Sequence, residues 1–98
     1  GNKQVLRNMK PSEFLETAAA LVSGDRAEQY GDYTDLHQRA ADLWSAYLET
    51  AISAEQVVFC MTLLKVARNE KGKIKSDNGV DASAYTALWA AIMENKDA

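Results

Sequence analysis

The segment formed by residues 57–67 constrains the fold more than any other part of the chain. It reads VVFCMTLLKVA, in which only Thr62 and Lys65 are polar. A helix at a protein surface has one apolar stripe, whereas this segment is apolar around nearly its whole circumference and needs cover on all sides. The sequence therefore predicts either a central helix wrapped by the other helices or a helix completed by a partner subunit. Phe59 and Leu63 are expected in the interior.

Length and charge limit the classes of protein that need to be considered. The chain has 98 residues, a formal net charge of −3 and a pI near 5.0. This length predicts one helical domain at residues 11–95, preceded by an N-terminal arm at residues 1–10. An acidic chain is not expected to bind nucleic acid directly, although acidic residues are the usual ligands of magnesium.

Cysteine content and hydropathy indicate the environment of the chain. Cys60 is the single cysteine, so no intrachain disulfide can form and an intracellular protein is expected. No apolar run approaches the roughly 20 residues of a membrane span, so no membrane association is expected.

Two helix starts can be recognised from capping chemistry. The first helix is expected to begin at Pro11 or Ser12, because proline suits a first turn and serine can cap it, and to end at Gly24. The third helix has the clearer start, because Ser53 and Gln56 stand at the spacing of a capping box.

The second helix has the cleanest amphipathic pattern. It is expected to be capped by Asp32 or Thr34 and to run to about Glu49. Its predicted buried stripe comprises the large apolar residues and one alanine at helical spacing: Leu36, Ala40, Leu43, Trp44, Tyr47 and Leu48.

The fourth helix is expected to begin between Asp77 and Asp81 and to run to about Asn95. Its predicted inward face is apolar: Val80, Ala84, Leu88, Ala91 and Ile92. Because no segment alternates apolar and polar residues, no strand is predicted. The pattern therefore predicts an all-α protein, a compact bundle of three to four helices completed by dimerisation.

One group of charged residues has the composition of a phosphate and metal site. Asp77 and Asp81 lie one turn apart if the fourth helix begins by Asp77, and could together ligate magnesium. Lys65, at the end of the third helix, would then contact a phosphate, with Arg68 nearby. The alternative is that the aspartates cap the fourth helix and the basic residues satisfy the end of the third.

A second acidic group surrounds Tyr30 and Gly31. Its members are the carboxylates between the first two helices: Asp25, Glu28, Asp32 and Asp35. Glu28 and Asp32 could add to the magnesium site if the two groups meet in the fold. The alternative is two helix caps and a solvated turn.

The remaining reactive or aromatic side chains favour structural roles. Cys60 is expected to be a small buried hydrophobe, and His37 a surface residue rather than a catalytic base. Four aromatic residues are more typical of a core or an interface than of a base-stacking platform: Trp44, Tyr47, Tyr85 and Trp89.

Several short motifs carry a family resemblance. They are Gly24-Asp25-Arg26, Gln29-Tyr30-Gly31-Asp32, LWSAYL at residues 43–48, LLKVAR at residues 63–68 and VDASAY at residues 80–85. Over about residues 12–92 the chain resembles a family of small uncharacterised proteins from tailed phages and prophages. The order of these motifs is also similar to a phage domain associated with nucleotide modification and, more distantly, to MazG-like nucleoside-triphosphate pyrophosphohydrolases.

The resemblance implies a helical bundle that is often dimeric or tetrameric, with magnesium held by acids on helices. Lys65 and Asp81 match the lysine and aspartate of the later MazG-like pattern, and Tyr85 matches the aromatic residue that follows. Tyr30, Arg68 and Tyr85 are then candidate nucleotide-binding residues. The glutamates at E-E-x-x-E spacing that mark these enzymes have no match here.

Two functional hypotheses follow. The first is a phage- or prophage-derived protein of nucleotide metabolism in the bacterial host cytoplasm, which binds a nucleotide with Mg²⁺ and, if it is an enzyme, hydrolyses nucleoside triphosphates to monophosphate and pyrophosphate. The second is a non-enzymatic phage accessory protein that acts through protein–protein contacts, because the third and fourth helices carry more apolar surface than one small bundle needs. Both hypotheses predict a homodimer.

Overall fold

The computed structural model describes residues 9–23, 33–69 and 75–96. These residues form four helices and no strand: α1 (Pro11–Leu21), α2 (Tyr33–Leu48), α3 (Ala54–Ala67) and α4 (Ser76–Asn95). Helix α3 packs against both α2 and α4, and α1 packs against α4. The predicted all-α class and the compact helical bundle are therefore confirmed.

Helix α1 starts where the sequence predicts. Pro11 occupies its first position, where a missing backbone N–H costs nothing. The N–H of Lys10 donates to Oε1 of Glu13 at 3.4 Å, which satisfies one backbone group at the helix entrance. The helix ends at Leu21, and the predicted end at Gly24 lies outside the described residues.

Helix α2 buries a different side from the one predicted. It begins at Tyr33, so Thr34 lies in the first turn and does not cap the helix, while Asp32 lies outside the described residues. Its buried side chains are His37 and Ala41. Four members of the predicted buried stripe are instead exposed: Leu36, Leu43, Tyr47 and Leu48. The stripe prediction is wrong for these residues because the side of α2 that carries His37 and Ala41 packs against the bundle.

A tight reversal joins α2 to α3. Glu49 has a left-handed backbone with φ of 53°, and the N–H of Thr50 donates back to the carbonyl of Ser45 at 3.2 Å. This arrangement satisfies a free carbonyl at the end of α2. The hydroxyl of Ser45 also accepts from the N–H of Ile52 at 2.8 Å, so the connection is held at both ends.

The predicted start of α3 is confirmed. The N–H of Ser53 donates to Oε1 of Gln56 at 2.9 Å, and the N–H of Gln56 donates to Oγ of Ser53 at 3.3 Å. The inner face of α3 then carries the buried residues of the helix: Ala54, Val57, Val58 and Thr62.

Of the two predicted alternatives, the one in which the rest of the chain encloses α3, with Phe59 and Leu63 in the interior, is wrong. Phe59 is more than a third exposed, and Leu63 is 54% exposed. The outer face of α3, which we define by its exposed residues that are not polar, comprises Phe59, Cys60, Leu63, Leu64, Val66 and Ala67. The physical reason is geometric, since the described neighbours α2 and α4 cover the inner side, while on the outer side Trp89 of α4 contacts Phe59 and leaves Leu63 exposed.

Helix α4 begins at Ser76, slightly earlier than predicted, and Lys75 occupies the capping position. Asp77 and Asp81 therefore lie inside the helix, and the alternative in which one of them caps it is wrong. The predicted inward face is confirmed at three positions that are buried: Val80, Ala84 and Ile92.

Helices α3 and α4 run antiparallel, and side-chain pairs along their whole length fix their register. From one end to the other the pairs are Glu55–Lys96 at 2.6 Å, Phe59–Trp89 with ring centroids 5.3 Å apart, Thr62–Thr86 at 3.3 Å and Lys65–Asp81 at 3.1 Å. This ladder combines an ion pair at each end with an aromatic contact and a hydroxyl contact between them. It holds the charged end of α3 against the first turns of α4.

Helix α1 packs against the N-terminal half of α4. Ala18 packs with Val80 and Ala84 in a small buried cluster. Phe14 lies so close to α4 that a Cβ added at Gly79 would approach its Cε1 to 2.9 Å. Glycine is therefore needed at this position for the aromatic ring to pack against the helix backbone.

Candidate functional site

The structure brings two of the predicted site residues into direct contact. Nζ of Lys65, on α3, lies 3.1 Å from Oδ2 of Asp81, on α4. The lysine side chain is 15% exposed and the aspartate 34%, so the pair lies at the edge of the α3–α4 contact and is partly shielded from water. The two charges neutralise each other, which leaves Asp81 a weaker cation ligand than an unpaired carboxylate.

Asp77 and Arg68 flank this pair but are more exposed. Asp77 lies one turn before Asp81 on α4, so the two carboxylates share a side of the helix as predicted. Arg68 lies at the C-terminal end of α3, where positive charge offsets the helix dipole.

An asparagine that the sequence analysis did not single out joins the same two helix ends. Oδ1 of Asn69 accepts from the backbone N–H of Lys75 and from Nδ2 of Asn78, both at 3.2 Å. Asn78 is buried, so this contact satisfies a polar group that would otherwise be costly to bury. Spacing alone could not reveal it, because it depends on how the chain returns from α3 to α4.

The described residues do not by themselves complete a magnesium site. Among them, no group of three His, Cys, Asp or Glu side chains is placed to hold a metal ion. The other three predicted site residues, Glu28, Tyr30 and Asp32, lie outside the described part of the chain. Within the described part, the predicted magnesium ligands are Asp77 and Asp81 alone.

His37 and Tyr85 form an aromatic contact between α2 and α4. The prediction that His37 is a surface residue is wrong: it is buried, and its Nδ1 donates to the carbonyl of Tyr33 at 2.6 Å. Its ring meets that of Tyr85 edge to face, with centroids 6.3 Å apart. Tyr85, a predicted binding residue, is therefore half-buried and already engaged in packing.

The lone cysteine also differs from its prediction. Cys60 is exposed, because it lies on the outer face of α3 and not among the residues that face α2 and α4. Of the aromatic residues predicted to serve a core or an interface, Trp89 is half-buried against Phe59, whereas Tyr47 is 87% exposed.

A shallow groove lies between α1 and α4. Its volume is about 460 Å³, and its lining is small or apolar: Leu15, Ala82, Ser83, Thr86, Ala87 and Ala90. The hydroxyls of Ser83 and Thr86 already donate to backbone carbonyls of α4. The groove therefore offers neither a charge nor a free hydroxyl donor to a phosphate or a metal ion.

None of the described helices is long and apolar enough to cross a bilayer.

Comparison with known proteins places the chain among phage proteins. It is 37% identical over 85 residues to the Gene 55 protein of Mycobacterium phage L5, and 34% identical over 81 residues to the Gene 55 protein of Mycobacterium phage D29. These alignments cover 86% and 83% of this chain but 54% of each relative, so the chain spans about half their length. No solved structure matches the chain.

The similarity to phage proteins confirms that part of the predicted resemblance. The resemblance to MazG-like enzymes and to the nucleotide-modification domain stays a prediction. A family described as Domain of unknown function (DUF6378) matches residues 13–93, which include all four helices except for the first two residues of α1 and the last two of α4. The chain therefore belongs to the DUF6378 family.

Proposed function

We propose that this chain acts as a non-enzymatic interaction protein, which binds a helical protein surface through the outer face of α3. The observation that carries this proposal is the exposure of large apolar side chains on a single helix, with Leu63 at its centre. Residues three and four apart on a helix are neighbours, so these side chains form one continuous patch. Contiguous apolar patches on soluble proteins commonly mark sites of protein association.

The spacing of the patch favours a helix as the bound element. Phe59, Leu63 and Val66 are separated by four and then three residues, and this alternation forms the seam of a coiled coil. Cys60 and Ala67 flank the seam with small side chains, which allow a second helix to approach closely. The outer face contains no Asp, Glu, Lys, Arg or His.

The rest of the bundle supports a rigid platform for such binding. The capping box at Ser53 fixes one end of α3, and the ladder with α4 fixes its inner side. A preorganised helix loses little conformational entropy when a partner docks on it. The outer face is therefore presented in a form that needs no folding step before association.

Photo-crosslinking in bacterial cells tests this function. A benzophenone amino acid at position 63 should give a discrete crosslinked product with a protein identifiable by mass spectrometry. The same probe at Leu15 is the matched control, because Leu15 is 65% exposed but lies on α1, away from the outer face. No product from position 63, or equal products from both positions, would contradict the proposal.

A second candidate function rests on the contact between Lys65 and Asp81. Here the chain binds a nucleotide with Mg²⁺, and Lys65 exchanges its aspartate partner for a phosphate group. Asp77 and Asp81 would be the metal ligands, with Glu28 and Asp32 as possible additions. Tyr30, Arg68 and Tyr85 would be the remaining nucleotide contacts. Since the described acids do not complete a metal site, pyrophosphohydrolysis would require further ligands.

Isothermal titration with MgCl₂ and a panel of deoxynucleoside triphosphates tests this second candidate. Binding heat that disappears in Asp81→Asn but persists in Asp42→Asn would support it, since Asp42 is exposed on α2. Absence of heat with every nucleotide would remove it, without affecting the interaction proposal.

A further inference from the structure

Asn78 and Gly79 form a chemically labile pair in the first turns of α4. Asparagine deamidates most readily when glycine follows it, because glycine has no Cβ to hinder its backbone nitrogen. That nitrogen attacks Cγ of the asparagine, its proton passes to the departing Nδ2, and ammonia leaves a five-membered succinimide. Water then opens the ring at either carbonyl and gives an aspartate or an isoaspartate at position 78.

The fold holds this pair in a form that does not react. A helical ψ of about −42° directs the following backbone nitrogen away from the asparagine side chain, so the ring closes only after the backbone leaves the helical region. Asn78 is 3% exposed, which restricts the access of water to its side chain. Its Nδ2 donates to Oδ1 of Asn69 at 3.2 Å, and its backbone N–H donates to the carbonyl of Lys75 at 3.0 Å. The reaction therefore requires the start of α4 to open.

Both members of the labile pair have a structural role that explains their presence. A Cβ added at Gly79 would approach Cε1 of Phe14 to 2.9 Å, so the packing of α1 on α4 needs glycine there. The side-chain amide of Asn78 supplies the donor that meets Asn69. The residue that makes Asn78 reactive is thus required by the packing, and the contact with Asn69 restrains the reaction.

We propose that Asn78 is a site of spontaneous deamidation, and that its contact with Asn69 sets the rate by keeping the first turns of α4 closed. Helix ends open more easily than helix centres. The capping residue Lys75 provides no side-chain hydrogen bond to the start of α4. Asn69 supplies this restraint from the end of α3, because its Oδ1 accepts from the N–H of Lys75 as well as from Asn78. This inference is independent of the proposed interaction role.

Deamidation would change the contact permanently. A carboxylate oxygen replaces Nδ2, so two acceptors face each other at a buried position where a donor met an acceptor. The positive end of the helix dipole offsets only part of this cost. An isoaspartate also adds one carbon to the main chain and shifts the helix that follows. Both products weaken the junction of α3 and α4, where Lys65 meets Asp81.

Peptide mass spectrometry of the full chain, aged in mildly alkaline buffer, tests this inference. Trypsin releases residues 76–96 as one peptide, in which fragmentation distinguishes Asn78 from Asn95. Native wild-type chain should convert Asn78 slowly. Asn69→Ala should convert it about fivefold faster or more, as expected when one hydrogen bond that holds the closed state is lost. Asn95, which is exposed and followed by lysine, is the internal reference and should keep its rate.

Two further variants separate the local contact from general stability. Asn69→Asp retains an oxygen that accepts both hydrogen bonds, and should keep the wild-type rate at Asn78. Ser53→Ala removes the cap at the other end of α3, and should leave the rate at Asn78 unchanged although it weakens the fold. Circular dichroism checks that each variant remains helical.

Urea-unfolded wild-type chain provides the upper limit, and should convert Asn78 faster than any native variant. No mass gain at Asn78 in the unfolded chain would show that the site is not labile. Equal native rates in wild type and Asn69→Ala would remove the role of the contact. An equal acceleration by Ser53→Ala would assign the reaction to unfolding of the whole domain. Each of these three results would overturn the inference.

Discussion

The inner and outer faces of helix α3 have similar side chains and opposite surroundings. Val58 on the inner face is 0% exposed, whereas Val66, eight residues along the same helix, is more than half exposed. Both are apolar and β-branched, so hydrophobicity cannot explain which one is buried. The difference is set by where α2 and α4 pack.

This contrast shows what an all-round apolar helix signifies in a short chain. Its composition predicts that every side of the helix is covered, but it does not indicate whether the same chain or another molecule provides the cover. In the described chain the inner face is covered by α2 and α4, and the outer face remains exposed apart from the contact of Phe59 with Trp89. The uncovered half is the part of the sequence pattern that the single chain leaves unexplained, and the proposed partner would account for it.

The largest expected effect is a difference in the free energy of unfolding between a substitution on the inner face and one on the outer face. Val58→Ala should lower the free energy of unfolding by about 2 kcal/mol, because it removes two buried methyl groups and leaves a cavity. Val66→Ala should change it by less than about 0.5 kcal/mol in the monomer, since its side chain already meets solvent. Urea denaturation at submicromolar concentration measures both variants.

Concentration dependence provides the control for this pair. If the outer face pairs with a second copy, the cost of Val66→Ala should grow as the protein concentration rises, because dimerisation then contributes to stability. Equal losses for the two variants at low concentration would contradict the assignment of inner and outer faces.

A smaller effect is expected at the start of α3, where both faces depend on the same cap. Ser53→Ala removes the hydroxyl that accepts the N–H of Gln56, and should cost about 1 kcal/mol. Because the cap supports the helix as a whole, the loss should be independent of protein concentration. Thermal unfolding at two concentrations provides the measurement, and Ser12→Ala at the exposed start of α1 is a control with no capping hydrogen bond described.

Local signals predicted the helices well because the determinants are short in range. The capping box at Ser53 and the proline at position 11 act within one turn, and both place a helix start correctly. The inward face of α4 was also predicted correctly, since it packs against both α1 and α3 and its small residues fit that contact.

The errors arise where burial depends on packing partners distant in sequence. Most of the large apolar stripe of α2 is exposed, while His37 is buried and its ring contacts Tyr85, which lies on another helix. Periodicity identifies an apolar side but cannot tell whether it faces the same chain or another molecule.

The candidate site also contains one contact that the sequence predicted and one that it did not. The approach of Lys65 to Asp81 matches the expected proximity of the two helix ends, because a short connection between antiparallel helices brings them together. The additional contact through Asn69 could not be inferred, since its partners Lys75 and Asn78 are placed by the return of the chain.

The smallest effect concerns the edge between the two faces, where Glu55 on α3 meets Lys96 on α4 at 2.6 Å. The pKa of the Glu55 carboxyl lies below its usual value, first because Lys96 donates a hydrogen bond to it and further because of backbone and Ser53 hydrogen bonds. A lowered folded-state pKa stabilises the fold above the unfolded pKa, and this contribution is lost as the pH falls through the folded value.

Lys96→Met should therefore reduce stability by about 0.5 kcal/mol at pH 7, since the lysine is largely exposed, and the difference from wild type should shrink as the pH falls below about 4. Urea denaturation from pH 3 to pH 7 measures this convergence, with Lys75→Met as a control of the same charge change. A difference between wild type and Lys96→Met that persists unchanged at pH 3 would show that the lysine stabilises the α3–α4 ladder by packing and not through the carboxylate.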